Sequence, residues 1–78
     1  MENTRFRIES NRAEMMARAA PGQAAYWTGY GRGLRHAQFG NPCGDDDEHR
    51  RYMREINSPD PNVSARAHGY QDGLIAAR

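Results

Sequence analysis

Small and apolar residues recur along this chain every three to four positions, the spacing that places them on one face of a helix. No segment shows the strict alternation of apolar and polar residues that is typical of a strand. The first helix is predicted from Ser10 to Ala20. Ser10 or Asn11 can cap it, alanine and methionine fill it, and Pro21-Gly22 stops it.

Three further helices are predicted after the first. The second covers residues 23–38 and ends at Gly40-Asn41-Pro42, because proline cannot continue a helix. The third covers residues 45–56. The fourth covers residues 60–77, and Asp60-Pro61 reads as an N-cap followed by proline at the first helical position. The predicted class is all-α.

Two stretches of the chain repeat each other 40 positions apart. Both read Ala-x-x-x-Gly-Tyr-x-x-Gly-Leu, once over residues 25–34 and once over residues 65–74. With one further alanine after each stretch, small residues form an i,i+4 row along one face of each helix. The two rows are Ala25, Gly29, Gly33 and Ala37, and Ala65, Gly69, Gly73 and Ala77.

The four glycines in these rows are costly, because each lowers helix stability by roughly 1 kcal/mol relative to alanine. Close approach of two backbones can offset that cost, since small residues along i±4 ridges let two helices interdigitate. We therefore expect the two helices to form an antiparallel or crossed pair at an unusually short separation. Pairing of the rows between two copies of the chain, in a homodimer, is the alternative. The residues expected to flank the seam and supply apolar area are Tyr30, Leu34, Tyr70 and Leu74.

The composition predicts a thin core. Val, Ile, Leu and Phe together number only 8 of 78 residues, roughly a tenth. A fold built on alanine, glycine, methionine and aromatic contacts, which a partner could complete, reconciles this count with a net charge of only +1. We expect a single domain over residues 1–78, with residues 1–9 as a flexible N-terminal arm. Met15, Met16 and Met53 suit either an adaptable core or a partner surface.

Charge and cysteine content exclude several classes of function. All 11 basic residues are arginine, and 10 acidic residues nearly cancel them, so any nucleic-acid contact must come from a local cluster. The single cysteine, Cys43, excludes a disulfide framework within the chain and most zinc patterns. No apolar stretch approaches a membrane span or a secretory signal, which predicts a cytoplasmic protein without membrane contact. We expect no cofactor, no metal and no catalysis.

The repeated motif resembles a known family. Ala25-x-x-x-Gly29-Tyr30-x-x-Gly33-Leu34, then Asn41-Pro42-Cys43, then His68-Gly69-Tyr70-x-x-Gly73 is similar to the ribosome modulation factor family of bacteria and phages. The resemblance implies a small α-hairpin protein without catalysis that binds the small ribosomal subunit near the 3′ end of 16S rRNA. It also implies that mRNA access is blocked and inactive ribosome dimers are promoted. The positions that carry the resemblance are Gly29, Tyr30, Gly33, Pro42, Gly69, Tyr70 and Gly73.

Arginines and aromatic residues of the first half form the candidate binding face. Together they could stack on the bases and pair with the phosphates of single-stranded RNA. Arg18 and Trp27 lie nearby in the sequence. Solvated arginines beside core aromatic residues are the alternative interpretation. The candidate residues for contact with RNA or a partner are Arg5, Arg7, Arg12, Tyr26, Tyr30, Arg32 and Arg35.

The acidic run that opens the third helix supports a second hypothesis. Its carboxylates suit the positive end of the helix dipole, and three i,i+4 ion pairs are predicted: Asp46–Arg50, Asp47–Arg51 and Arg51–Glu55. The same run could bind a basic protein. The protein would then be a phage-encoded inhibitor or adaptor, for example an anti-CRISPR-like blocker of a bacterial defence complex. The residues of this alternative partner surface are Asp45, Asp46, Asp47, Glu48, Arg50 and Arg51.

Overall fold

The computed structural model describes residues 2–40 and 45–78. Within those residues the chain forms helices and no strand, so the all-α prediction is confirmed. Helix α2 begins at Ala24, straight after a short 3₁₀ turn over Pro21–Gln23. The α-helices are α1 (Asn3–Ala19), α2 (Ala24–Phe39), α3 (Asp46–Glu55) and α4 (Pro61–Ala76).

Helix α1 is longer than predicted. It begins at Asn3 rather than Ser10, so residues 3–9 of the predicted flexible arm make its first two turns. The Glu2 carboxylate accepts a hydrogen bond from the Thr4 amide at 2.9 Å and caps this helix. The Phe6 ring packs edge-on against Phe39 with centroids 5.2 Å apart. A cap and a tertiary contact therefore supply the helix start that residue pattern alone did not indicate.

Helices α2 and α4 pack backbone against backbone, as their rows of small residues predict. A methyl group built at Gly29 would lie 1.9 Å from the carbonyl oxygen of Arg66, and one at Gly69 would lie 1.9 Å from that of Tyr26. Methyl groups at Gly33 and Gly73 would come within 2.2 Å of the facing carbonyl oxygens. The seam is thus closed within one chain, and any side chain at these four positions would force the helices apart.

The two helices run in the same direction, so the antiparallel alternative of the predicted antiparallel or crossed pair is wrong. Gly29 faces Arg66, and Gly33, one turn further along α2, faces Tyr70, which is one turn further along α4. An antiparallel pair would reverse the order along α4. Small-residue ridges fit either direction, and the intervening helix α3 decides between them by carrying the chain back to the starting end of the seam.

The contacts across the seam have approximate two-fold symmetry. Gly29 contacts the carbonyl of Arg66, and Gly69 contacts the carbonyl of Tyr26. Gly69 lies 40 positions after Gly29, and Arg66 lies 40 positions after Tyr26, so the two contacts are equivalent once the helices are exchanged. The relation continues into the flanking helices. Glu9 of α1 is hydrogen-bonded to Tyr30, and His49 of α3, 40 positions later, is hydrogen-bonded to Tyr70. The chain is therefore two equivalent helix pairs, α1–α2 and α3–α4, joined through α2 and α4.

The buried core lies on both sides of the seam. Leu34 is fully buried and Tyr70 is 1% exposed, which confirms their predicted places beside the glycine rows. Tyr30 and Ala13 complete the core on the α1 side, while Tyr52 stacks on Tyr70 on the α3 side. Along residues 2–40 and 45–78, no helix is both long and apolar enough to cross a membrane.

Candidate nucleic-acid interface

A groove runs between α1 and α2. The two helices are antiparallel, since Asn3 at the start of α1 is hydrogen-bonded to Gln38 near the end of α2. One cavity of about 210 Å³ and a second of about 400 Å³ adjoin at Ser10, which lines both, and together they make up this groove. We call this the α1–α2 groove. Its lining residues are Asn3, Phe6, Arg7, Ser10, Asn11, Ala13, Glu14, Ala17, Trp27, Thr28, Gly31, Arg35 and Phe39.

Arginines border this groove on both helices. Arg7 lines it from α1, and Arg18 continues the same helical stripe, since positions 7, 11, 14 and 18 share one face. Arg35 lines it from α2. Within the described part of the chain none of these guanidinium groups is in an ion pair, so their charges are available to an anionic ligand. Glu14 is the carboxylate that lines the groove.

Charge is divided unequally between the two helix pairs. Residues 1–40 carry six arginines and three glutamates, a formal charge of +3. Residues 41–78 carry five arginines and seven acidic residues, a formal charge of −2. The near-neutral total therefore combines a basic half and an acidic half, and the α1–α2 groove belongs to the basic one.

Several residues of the candidate binding face make contacts inside the protein instead. Tyr30 is 8% exposed and donates a hydrogen bond to Glu9 at 3.3 Å. Tyr26 donates to Asp72 of α4 at 2.5 Å, and burial followed by this bond raises the pKa of Tyr26 to about 12. The Tyr26 ring also packs edge-on against Trp27, with centroids 5.1 Å apart. These tyrosines therefore hold the helices together.

Arg12 and Arg32 are also engaged within the protein. Arg12 lies 3.4 Å from Glu9 and its guanidinium sits over the Trp27 ring at 5.6 Å. Arg32 forms a bidentate pair with Glu48 of α3, with nitrogen–oxygen distances of 2.6 and 3.0 Å. The hydrogen bond from Arg32 lowers the pKa of the Glu48 carboxyl below its ordinary value. Arg5 and Arg7 are exposed on α1, and Arg35 is half-buried in the α1–α2 groove.

The acidic run serves helix α3 and its attachment to α2. Asp45 caps α3 by accepting a hydrogen bond from the Glu48 amide at 2.9 Å. The predicted pair Arg51–Glu55 is present at 3.6 Å. The predicted pairs of Asp46 with Arg50 and of Asp47 with Arg51 do not form; Asp47 instead pairs with Arg50, three residues on. With the side chain of Glu48 turned toward Arg32, the exposed carboxylates of the run are Asp45, Asp46 and Asp47.

A histidine–tyrosine cluster that the sequence analysis did not single out joins α2, α3 and α4. His49 Nδ1 and the Tyr70 hydroxyl are hydrogen-bonded at 2.8 Å, and the His36 ring stacks on His49 with centroids 5.5 Å apart. Tyr52 stacks on Tyr70 at 4.3 Å. Burial, and then the nearby Glu48 charge, raise the pKa of Tyr70 to about 12. Glu9 and His49 lie 40 positions apart, as do Tyr30 and Tyr70, so extending the 40-residue repeat beyond α2 and α4 could have indicated this contact.

No family model, curated protein or solved structure matches this chain. The candidate site therefore rests on the residues of this chain alone.

The described residues contain no candidate metal site. No group of three or more His, Cys, Asp or Glu side chains lies close enough there to hold a metal ion. Cys43 and Pro42, which the sequence analysis considered, lie outside the described residues.

Proposed function

We propose that this protein is a non-enzymatic binding protein that engages single-stranded RNA of the small ribosomal subunit along the α1–α2 groove and lowers translation. One observation carries the RNA-binding part of this proposal: arginines that have no ion pair among the described residues border the groove, on the half of the chain whose formal charge is +3. Guanidinium groups pair with phosphates and stack on bases. The small subunit is proposed as the target because the Gly-Tyr repeats resemble ribosome modulation factor.

The proposal predicts salt-dependent binding to a fluorescein-labelled single-stranded RNA. If Arg7, Arg18 and Arg35 each contact one phosphate, the slope of log affinity against log salt is about −2. Affinity then falls about 20-fold between 50 and 200 mM salt. Fluorescence anisotropy measures both values. Absence of binding at 50 mM salt, or binding that salt does not weaken, would contradict the proposal.

Charge variants on the two halves provide the matched control. The double variant Arg7→Ala/Arg18→Ala is expected to weaken binding and to reduce the salt slope by roughly two thirds. The double variant Arg54→Ala/Arg78→Ala removes the same charge from the acidic half and should leave the salt slope unchanged. Neither arginine is in an ion pair among the described residues. Glu14→Gln removes a carboxylate from the groove and is expected to strengthen binding. Equal effects of the two arginine pairs would mean that the charge acts without a defined site.

Stoichiometric inhibition of another protein is the second candidate function, and exposed apolar side chains favour it. Ile8 and Met15 are 61% and 67% exposed and lie seven residues apart on one face of α1. Of the two places predicted for Met15, an adaptable core or a partner surface, this exposure agrees with the surface. A protein target predicts a complex of fixed stoichiometry that survives nuclease treatment, whereas an RNA target predicts that nuclease releases the protein.

A further inference from the structure

Gly31 differs from the other glycines of α2. Gly29 and Gly33 face backbone atoms of α4, so no side chain fits there. A methyl group built at Gly31 meets only the Arg35 guanidinium, at 3.8 Å, which is an ordinary contact with a flexible side chain. Because glycine is the poorest helix former after proline, packing gives no reason for glycine at this position.

The two helix pairs differ at the position of Gly31. The residue that corresponds to Gly31 in α4, 40 positions later, is the exposed Gln71. The seam glycines recur in both helices, whereas this one occurs only in α2. Gly31 also lines the α1–α2 groove, where a side chain would occupy part of a cavity of only about 210 Å³.

We propose that Gly31 keeps the α1–α2 groove open for one nucleobase of a bound single-stranded RNA. This inference rests on the proposed function and locates its contact with a base. Two planar groups line this part of the groove, the Trp27 ring and the Arg35 guanidinium, and both are surfaces on which bases stack. The hydroxyls of Ser10 and Thr28 are hydrogen-bonding groups beside them. Arg7 and Arg18 on the adjoining stripe hold the flanking phosphates.

The occupant is a base rather than a side chain of a protein because of the charge around the groove. Arg7 and Arg35 line it from opposite helices without ion pairs in the described part of the chain. An RNA strand supplies a phosphate for each cation and a planar group for the space between them. The exposed apolar residues Ile8 and Met15, which suit a protein partner, do not line the groove, and the exposed Phe39 lines the cavity of Arg7 rather than that of Trp27 and Arg35.

The experiment combines a filled groove with a direct optical signal. Trp27 is the only tryptophan in the chain and lines the groove, so all tryptophan emission comes from a residue at the proposed base site. A labelled single-stranded RNA of mixed sequence is titrated into wild type, Gly31→Leu and Gln71→Leu, with anisotropy and Trp27 emission recorded together. Gln71→Leu places the same side chain at the equivalent position of α4 and serves as the matched control.

We expect RNA to quench Trp27 in the wild type and in Gln71→Leu. Gly31→Leu should bind about tenfold more weakly, because loss of one stacked base removes a contribution of that size. Its helical circular dichroism should match that of the wild type. If it does not fold, Gly31→Ala, which adds one methyl group, and the wild-type quenching provide the test.

The outcomes separate this inference from the function on which it rests. Wild-type protein that binds RNA without a change in Trp27 emission, together with full binding by the Gly31 variants, would overturn the base site and leave RNA binding standing. Wild-type protein that binds no RNA would overturn both and would return attention to a protein partner.

Discussion

Replacing Gly69 with alanine is expected to destabilise the protein by about 3 kcal/mol or more, although alanine is the better helix former. The added methyl group would lie 1.9 Å from the Tyr26 carbonyl oxygen and 3.0 Å from the Tyr30 amide nitrogen. Both are backbone atoms of α2, so relief requires separation of the whole helix. Urea unfolding followed by circular dichroism measures the loss, and Gly69→Leu is expected to prevent folding.

Gly31→Ala is the control for this prediction, because it adds the same methyl group to a helix glycine outside the seam. Only the Arg35 side chain lies near the new atom, so the gain in helix propensity should appear as up to about 1 kcal/mol of added stability. The two substitutions are therefore expected to shift the melting temperature in opposite directions. Equal small shifts would mean that α2 and α4 are not in backbone contact.

Replacing Tyr70 with alanine is expected to cost about 3–5 kcal/mol, the range for loss of a large buried aromatic side chain. The ring is 1% exposed and stacks on Tyr52, and its hydroxyl is bonded to His49. Removing it takes away the Tyr52 stack and the His49 hydrogen bond, two of the contacts that attach α3 to α4. Because a small domain has about 5 kcal/mol of stability, only about 0–2 kcal/mol should remain, and the melting temperature should fall steeply. A thermal melt measures this result.

Tyr70→Phe separates the ring from its hydroxyl. Phenylalanine keeps the stack on Tyr52 and loses the bond to His49, at an expected cost of about 1 kcal/mol. The hydroxyl also gives a pH dependence. Since the pKa of Tyr70 is raised in the folded state to about 12, the stability it adds is complete below pH 10 and is lost as pH rises toward 12. Tyr26 contributes in the same direction in both proteins.

Wild type is therefore expected to lose more stability than Tyr70→Phe between pH 10 and pH 12. Identical losses in the two proteins, or a Tyr70→Ala variant that melts like wild type, would contradict the place of Tyr70 in the core.

Local sequence signals determined most of the secondary structure. Proline, glycine and aspartate mark the ends of α2, α3 and α4, and the predicted bounds agree with the structure to within one or two residues. The start of α1 was missed because it depends on a tertiary contact, Phe6 against Phe39, at the other end of α2. A contact between residues 33 positions apart leaves no local pattern to find.

The direction of the α2–α4 pair needed a topological argument. Rows of small residues allow close packing in either direction. The 10-residue helix α3 between them spans about 15 Å, enough to carry the chain back most of the length of α2. An antiparallel pair would need only a short turn, so the presence of a third helix was the available signal.

The binding face was only partly predictable, because residue type does not show which way a side chain turns. Tyr30 and Arg32 have the chemistry of an RNA contact, yet the structure turns them toward Glu9 and Glu48. Arg7 and Arg35 line neighbouring cavities that exist only once α1 has packed on α2. Gly31 could have been identified from the sequence as a glycine with a separate role, since it lies outside the repeated glycine pattern.

Sucrose-gradient sedimentation at low salt tests the proposed function most directly. A tagged copy of the protein in bacterial lysate is expected to migrate with the small ribosomal subunit, with whole ribosomes or with their dimers. The Arg7→Ala/Arg18→Ala variant should stay at the top of the gradient, and the Arg54→Ala/Arg78→Ala variant should migrate like wild type. Wild-type protein that stays at the top, or arginine variants that migrate identically, would contradict a ribosomal target reached through the α1–α2 groove.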